Sequence, residues 1–143
     1  MEELVGYLSQ IQALLEQVYT ITDNQTTILL APMDTKEEES NALDMIAQMA
    51  DYKDELTEEL NKLELAFQQK YDELKEVVKY EADLHELKRL VAAILEAKQA
   101  IIEHEQSNLL LLQTHSKKKL ERVQLPQNPK EAANAYKKQQ GKT

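Results

Sequence analysis

The chain has 143 residues, of which 42% are hydrophobic and 30% are charged, with two glycines, three prolines, no cysteine and a net charge of −9. The length suits one domain, and so few Gly and Pro residues argue against a turn-rich β fold. The absence of cysteine excludes disulfides and Cys-ligated metals. Because the prevailing residues are good helix formers, we predict an all-α fold, a long antiparallel helical hairpin or three-helix bundle with coiled-coil character.

The first helix is predicted over residues 3–30. Its apolar residues recur at intervals of four and three, which places them on one face of a helix. Thr22 and Gln25 continue this seam as polar residues, and such residues can determine which register of helices pairs. The members of the seam are Leu4, Leu8, Ile11, Leu15, Val18, Thr22, Gln25 and Leu29.

Pro32 should end this helix, because proline lacks an amide donor and crowds the preceding turn. The following acidic stretch DTKEEES, residues 34–40, has no apolar residue to bury. We predict a solvated loop there, with Ser40 as the N-cap of the next helix.

The second helix is predicted over residues 41–80, roughly 60 Å at 1.5 Å per residue. A helix this long needs an antiparallel neighbour or a coiled-coil partner. Lys53 and Lys70 fall within its seam, and we expect both at an edge where the ammonium reaches water. The apolar seam consists of Ile46, Met49, Leu56, Leu60, Leu63, Phe67, Leu74 and Val77.

The third helix is predicted over residues 84–123, unless it continues the second helix as one rod with a register shift near residue 81. It has two apolar stripes, and the run of leucines at 109–112 covers most of its circumference. Either it lies between two helices of its own bundle, or one face awaits another protein. The first stripe is Leu87, Ile94 and Ile101, and the second is Val91, Leu95, Ile102 and Leu109.

Residues 1–123 are therefore predicted as the helical bundle and residues 124–143 as a basic, flexible tail with a short helix near 129–140. From residue 113 onward the chain carries +6, which leaves −15 for residues 1–112. An acidic body disfavours nucleic acid as a partner, whereas the tail suits an acidic surface or serves only solubility.

No catalytic motif is present, so we expect no enzymatic activity and no cofactor. Only three histidines occur, His85, His104 and His115, none in a metal-binding spacing, and we expect His104 at the surface. The start of the chain lacks a secretory signal, and the longest apolar run, residues 90–95, is too short for a membrane span. We expect a cytoplasmic protein without membrane insertion.

Three segments carry a resemblance: IQALLEQVYTITDNQTTIL (11–29), LDMIAQMADYKDELTEELNKLELAFQQKY (43–71) and NPKEAANAYKKQ (128–139). In their order and spacing they resemble the flagellar type III export chaperones of the FlgN family, in particular the clostridial kind. The second segment contains the lysine-acidic-x-leucine step that starts at Lys53 and the Leu-Glu-x-x-Phe-x-x-x-Tyr pattern that ends at Tyr71. The tail contains Ala-Ala followed by an aromatic residue, Tyr136. The insert around Pro32 departs from the family pattern.

The resemblance implies a cytosolic helical chaperone that binds the amphipathic C-terminal segment of hook-associated proteins, prevents their premature assembly and delivers them to the export gate. A client segment that folds on binding needs an apolar groove, and methionines allow such a surface to adapt. Tyr136, with Lys137 and Lys138, is the candidate docking site for a component of the export gate, because tyrosine is favoured at interfaces. The candidate client-binding residues are Val91, Leu95, Ile102, Leu109, Leu110, Met45 and Met49.

The strongest alternative is a structural coiled-coil protein without a client, for example an antiparallel homodimer or one subunit of a larger helical complex. This alternative predicts that a second copy of the chain covers the broad apolar face of the third helix. A prefoldin-like holdase is a weaker alternative, because the breaks near residues 31–40 and 80–84 are not typical of strands.

Overall fold

The computed structural model describes residues 1–78 and 84–119, the last five of these for the backbone only. They form three helices, α1 (Glu2–Leu30), α2 (Lys36–Val78) and α3 (Leu84–Lys119). The helices pack against one another, and no strand occurs in these two ranges. The prediction of an all-α helical bundle is therefore confirmed.

Helix α2 runs antiparallel to α1. The ammonium of Lys70 lies 3.0 Å from a carboxylate oxygen of Glu3 at the start of α1. Near the end of α1, the side-chain amide of Gln25 donates to the carbonyl oxygen of Ile46 at 3.1 Å. Residue numbers that rise along α1 thus meet numbers that fall along α2, which defines an antiparallel pair.

Helix α3 runs antiparallel to α2 and hence parallel to α1. An ion pair joins Glu64 of α2 to Lys98 of α3, and another joins Lys53 to Glu105 at 3.1 Å. These cross-links place α2 and α3 side by side, so the alternative of one continuous rod is wrong.

The described residues form two apolar clusters in the interior. The larger, the main core, joins the three helices over most of their shared length. The smaller, the distal core, lies where α1 ends and α2 begins, and consists of Leu29, Leu43, Ile46 and Leu112. The main core consists of Leu4, Leu8, Ile11, Leu14, Leu15, Val18, Leu56, Leu60, Val78, Leu87, Leu90, Ile94 and Ile101.

The seam predicted for α1 is buried along its whole length, including its two polar members. In α2 the predicted seam holds to residue 74, where it is buried or half-buried, but Val78 rather than Val77 enters the core. In α3 the first of the two stripes is buried.

Pro32 follows the end of α1, where Ala31 adopts an extended conformation and its N–H donates to the carbonyl of Ile28 at 3.2 Å. The loop that we predicted over residues 34–40 is wrong, because α2 already begins at Lys36. The hydroxyl of Thr35 accepts a hydrogen bond from the N–H of Glu38 at 3.0 Å, and the Glu38 carboxylate accepts one from the N–H of Asp34 at 2.9 Å. These reciprocal bonds form an N-terminal cap five residues before Ser40.

None of the described helices carries an apolar stretch long enough to span a bilayer. The ends predicted for the second and third helices, and the whole tail at 124–143, lie outside the described residues.

Candidate functional site

An open apolar groove of about 380 Å³ lies between α2 and α3. Its lining is mainly apolar, although one lysine and one glutamine contribute. No other side chain of the described bundle fills it. The lining residues are Phe67, Gln68, Tyr71, Leu84, Leu87, Lys88, Val91, Ala92 and Leu95.

Helix α2 contributes an aromatic pair to this groove. Phe67 and Tyr71 are four residues apart and therefore lie on one face of the helix, one turn above the other. Their rings are stacked, with centroids 6.1 Å apart and an interplanar angle of 23°. Both side chains are half-buried and pack on the main core, so they form a supported wall.

Helix α3 contributes the opposite wall. Leu87 belongs to the main core, whereas Val91 and Leu95 leave 38% and 60% of their surface exposed. The helix thus turns its first apolar stripe to the core, and two members of its second stripe, Val91 and Leu95, to the groove. Of the two alternatives that the sequence left open for α3, the exposed Val91 and Leu95 favour an apolar face that its own bundle does not cover.

Charged side chains stand at the edge of the groove. Lys88 lies among the lining residues, one turn before Ala92. The ion pair of Glu64 with Lys98 joins the two helices three residues beyond Leu95. Among the described residues, Lys88 is thus the one cationic residue of the groove lining, and the ammonium of Lys98 is paired with Glu64.

The candidate client-binding residues on α3 do not all line the groove. Val91 and Leu95 do. Ile102 is exposed on the same flank of the helix, beyond the ion pair, and Leu109 is half-buried against the distal core. Leu110 is 63% exposed but is not part of the groove lining.

Met45 and Met49 lie elsewhere. Met45 is exposed and Met49 is half-buried, and neither lines the groove. Met49 is eighteen residues before Phe67, about 27 Å along the helix, and Met45 is one turn farther away. The structure therefore does not bring the two methionines together with the groove.

Sequence reasoning placed Phe67 in the helix seam and did not assign Phe67 or Tyr71 to a binding surface. The signal that could have identified them was the Leu-Glu-x-x-Phe-x-x-x-Tyr pattern itself. Phe67 and Tyr71 are four residues apart in this pattern, which places two large aromatic rings on one face of the helix.

A second feature lies inside the bundle, centred on Lys53. We expected its ammonium to reach water, which is wrong, because the residue is only 5% exposed. The ammonium donates to Gln25 Oε1 at 2.6 Å, to Glu105 Oε1 at 3.1 Å and to Thr22 Oγ1 at 3.2 Å. All three of its protons thus have acceptors on α1 and α3, which makes burial of the charge tolerable.

A chain of hydrogen bonds continues from this lysine site along α1 and α3. Thr26 Oγ1 lies 2.5 Å from Asn108 Oδ1 and 2.7 Å from His104 Nε2. Because a hydroxyl has one proton, Thr26 can donate to Asn108 while it accepts from a protonated Nε2 of His104. The Asn108 amide then donates to the carbonyl of Thr22 at 3.0 Å. His104 is only 17% exposed at its side chain, so its expected surface position is wrong.

Tyr136, Lys137 and Lys138 lie outside the described residues, so their predicted docking role stays a prediction. Among the side chains that the structure describes, in residues 1–78 and 84–114, no three His, Asp or Glu are arranged to hold a metal ion. Comparison of the chain with protein-family models, curated proteins and solved structures found no match.

Proposed function

We propose that this chain is a helical export chaperone that holds an amphipathic segment of a client protein in the groove between α2 and α3. Following the resemblance to the FlgN family, the proposed client is the C-terminal segment of a hook-associated protein. The observation that carries the proposal is that Val91 and Leu95 face a stacked aromatic pair across an apolar groove that no other part of the described bundle covers.

The shape of the groove favours a helical ligand. Its lining on α3 extends from Leu84 to Leu95, a rise of roughly 17 Å, which corresponds to about three turns of a helix laid alongside. An amphipathic helix presents one apolar side chain per turn at positions i, i+3 or i+4, and i+7. Such a row of side chains could pack between Val91 and Leu95 on α3 and Phe67 and Tyr71 on α2.

The groove also suits release, which export requires. It is open on its outer side, so a bound helix would be contacted on one face only. The client segment would in addition pay the entropic cost of folding as it binds. Both effects limit affinity to a range in which an export component can remove the client. In this proposal Tyr136, Lys137 and Lys138 make the contact with the export gate.

Calorimetry with the full chain and a synthetic peptide from the C-terminal end of a hook-associated protein tests the proposal. Leu95→Asp places a charge in the groove and should weaken binding by at least about tenfold, since an uncompensated charge is costly to desolvate. Leu110→Asp is the matched control, because Leu110 is an equally exposed leucine of the same helix outside the groove. Equal loss of affinity in both variants, or no binding to the unmodified chain, would contradict the proposal.

Self-association is the competing function, in which a second copy of the chain covers the exposed residues of α3. Ile102 and Leu110 favour it, because both are exposed apolar residues that lie outside the groove lining. Sedimentation of the chain alone and with the peptide distinguishes the two. A dimer whose mass does not change with peptide supports the structural coiled-coil protein instead.

A further inference from the structure

A layer of polar side chains crosses the interior of the bundle between the main core and the distal core. All three helices contribute to it, and its members are hydrogen-bonded to one another or to the backbone of a neighbouring helix. We call this set the polar layer. It consists of Thr22, Gln25, Thr26, Lys53, His104, Glu105 and Asn108.

The polar layer is complete at only one stagger of the helices. The acceptors for Lys53 come from two different helices, Gln25 on α1 and Glu105 on α3. The amide nitrogen of Gln25 is in turn bonded to the carbonyl of Ile46, seven residues before Lys53 on α2. A shift of any one helix along another would separate a donor from its acceptor.

The apolar seams on their own do not impose this stagger. They repeat with nearly the same spacing along each helix, so a shift of seven residues places apolar residues against apolar residues again. For α2 against α1, the same shift would set the Lys53 ammonium against Leu15 or Leu29 instead of Thr22. Both leucines are buried and offer no acceptor, so the shifted bundle would contain an uncompensated charge.

We propose that the polar layer determines the register of the three helices, and that it does so at the expense of stability. An apolar layer of the same volume would hold the helices together more tightly but would accept more than one stagger. This inference does not depend on the proposed client, since it concerns the arrangement of the bundle itself.

The test replaces the lysine site by apolar residues of similar size in one variant, Thr22→Val, Gln25→Leu, Lys53→Met and Glu105→Leu. Because the chain has no native cysteine, spin labels can be attached at Ser9→Cys on α1 and Gln48→Cys on α2, both of which are exposed positions. These positions are offset along the bundle axis, so the distance between them reports the stagger. A slip of seven residues moves the labels by about 10 Å relative to each other.

With the polar layer intact, pulsed electron paramagnetic resonance should give one narrow distance. The apolar variant should melt at the same or a higher temperature and give a broadened distribution or a second distance. Lys70→Met is the control, because it removes the ammonium of a lysine that is partly exposed at the surface, and it should keep the single distance. The inference is overturned if the apolar variant keeps the single distance, and also if it fails to fold, since the layer would then be required for stability.

Discussion

Two surface ion pairs of the bundle shift pKa values. One pair lowers the pKa of Glu86, and the other raises the pKa of Lys70. The guanidinium of Arg89 donates two hydrogen bonds to the Glu86 carboxylate, at 2.6 and 3.0 Å, and these bonds lower the pKa of Glu86. The hydrogen bond and the charge of Glu3 raise the pKa of Lys70, with a further contribution from the charge of Glu73. Each pair therefore stabilises the fold over a different range of pH.

For Glu86, the contribution to stability is full above the unfolded-state pKa of about 4.3 and is lost as the pH falls through the lower folded-state value. For Lys70, it is full below the unfolded-state pKa of about 10.4 and is lost as the pH rises through the higher folded-state value. Titration of the two side chains by NMR should show these shifts. Arg89→Gln should raise the pKa of Glu86 towards its ordinary value without affecting the pKa of Lys70. Glu3→Gln should lower the pKa of Lys70 towards its ordinary value without affecting the pKa of Glu86. A pKa of Glu86 that does not respond to Arg89→Gln would show that the shift has another origin.

The two seam lysines show what a single sequence reveals about a residue. Lys70 lies at an edge of the bundle, as expected from the length of its side chain. Lys53 has the same side chain and a seam position of the same kind, yet its ammonium is buried. The difference lies in Gln25 and Glu105, which approach it from two other helices. A seam pattern identifies the inward-facing positions but not the polar atoms that meet them there.

At the level of single elements, the start of α2 depends on the cap at Thr35. Its hydroxyl satisfies the N–H of Glu38, one of the helix donors that have no intrahelical partner. Thr35→Ala should therefore lower the free energy of unfolding by about 1 kcal/mol in urea denaturation. Ser40→Ala is the matched control, since Ser40 lies within α2 and alanine favours the helix interior. A larger loss for Ser40→Ala than for Thr35→Ala would locate the cap where the sequence had suggested it.

The start of α2 could not be predicted because the acidic stretch has no apolar period to identify a helix. Three consecutive glutamates, Glu37, Glu38 and Glu39, occupy the first turn of α2. Their charges interact favourably with the N-terminal end of the helix dipole, so the same residues that suggested a solvated loop favour a helix start. Glu39 is buried, which an argument from hydropathy alone cannot anticipate. By contrast, the predicted end of α1 before Pro32 is confirmed, because proline acts through local sterics.

The two apolar stripes of α3 could be predicted from the sequence. Which surface each stripe contacts could be predicted only in part. Periodicity shows that Val91, Leu95 and Ile102 share a face. It does not show which part of a neighbouring helix meets that face, so the sequence grouped these residues with two methionines that lie about 27 Å or more from Phe67 along α2. The aromatic wall was missed for the same reason, since Phe67 and Tyr71 complete the groove only once α2 and α3 lie side by side.

At the scale of the whole molecule, the polar layer separates two apolar cores of different size. Among the residues that the structure describes, the main core contains thirteen buried apolar residues, whereas the distal core contains four. Regions with less buried apolar surface open at lower free energy than the rest of a domain. We therefore expect the distal end to open as a separate unit, with backbone amides near Leu29, Ile46 and Leu112 exchanging with solvent faster than those near Ile11, Leu60 and Ile94.

Two matched leucine substitutions on α3 can establish whether the ends open separately. Leu90 lies in the main core and Leu112 in the distal core, and both are buried, so Leu→Ala should cost about 3 kcal/mol at either site. Leu112→Ala should speed amide exchange in both cores. The contacts of Leu112 are lost when the distal end opens alone and also when the whole bundle unfolds, so the substitution makes both events easier. Leu90→Ala should speed exchange in the main core and leave distal exchange unchanged, since distal opening keeps the main core intact. If Leu90→Ala accelerated exchange equally at both ends, the bundle would open as one unit, and the polar layer would not separate the two cores energetically.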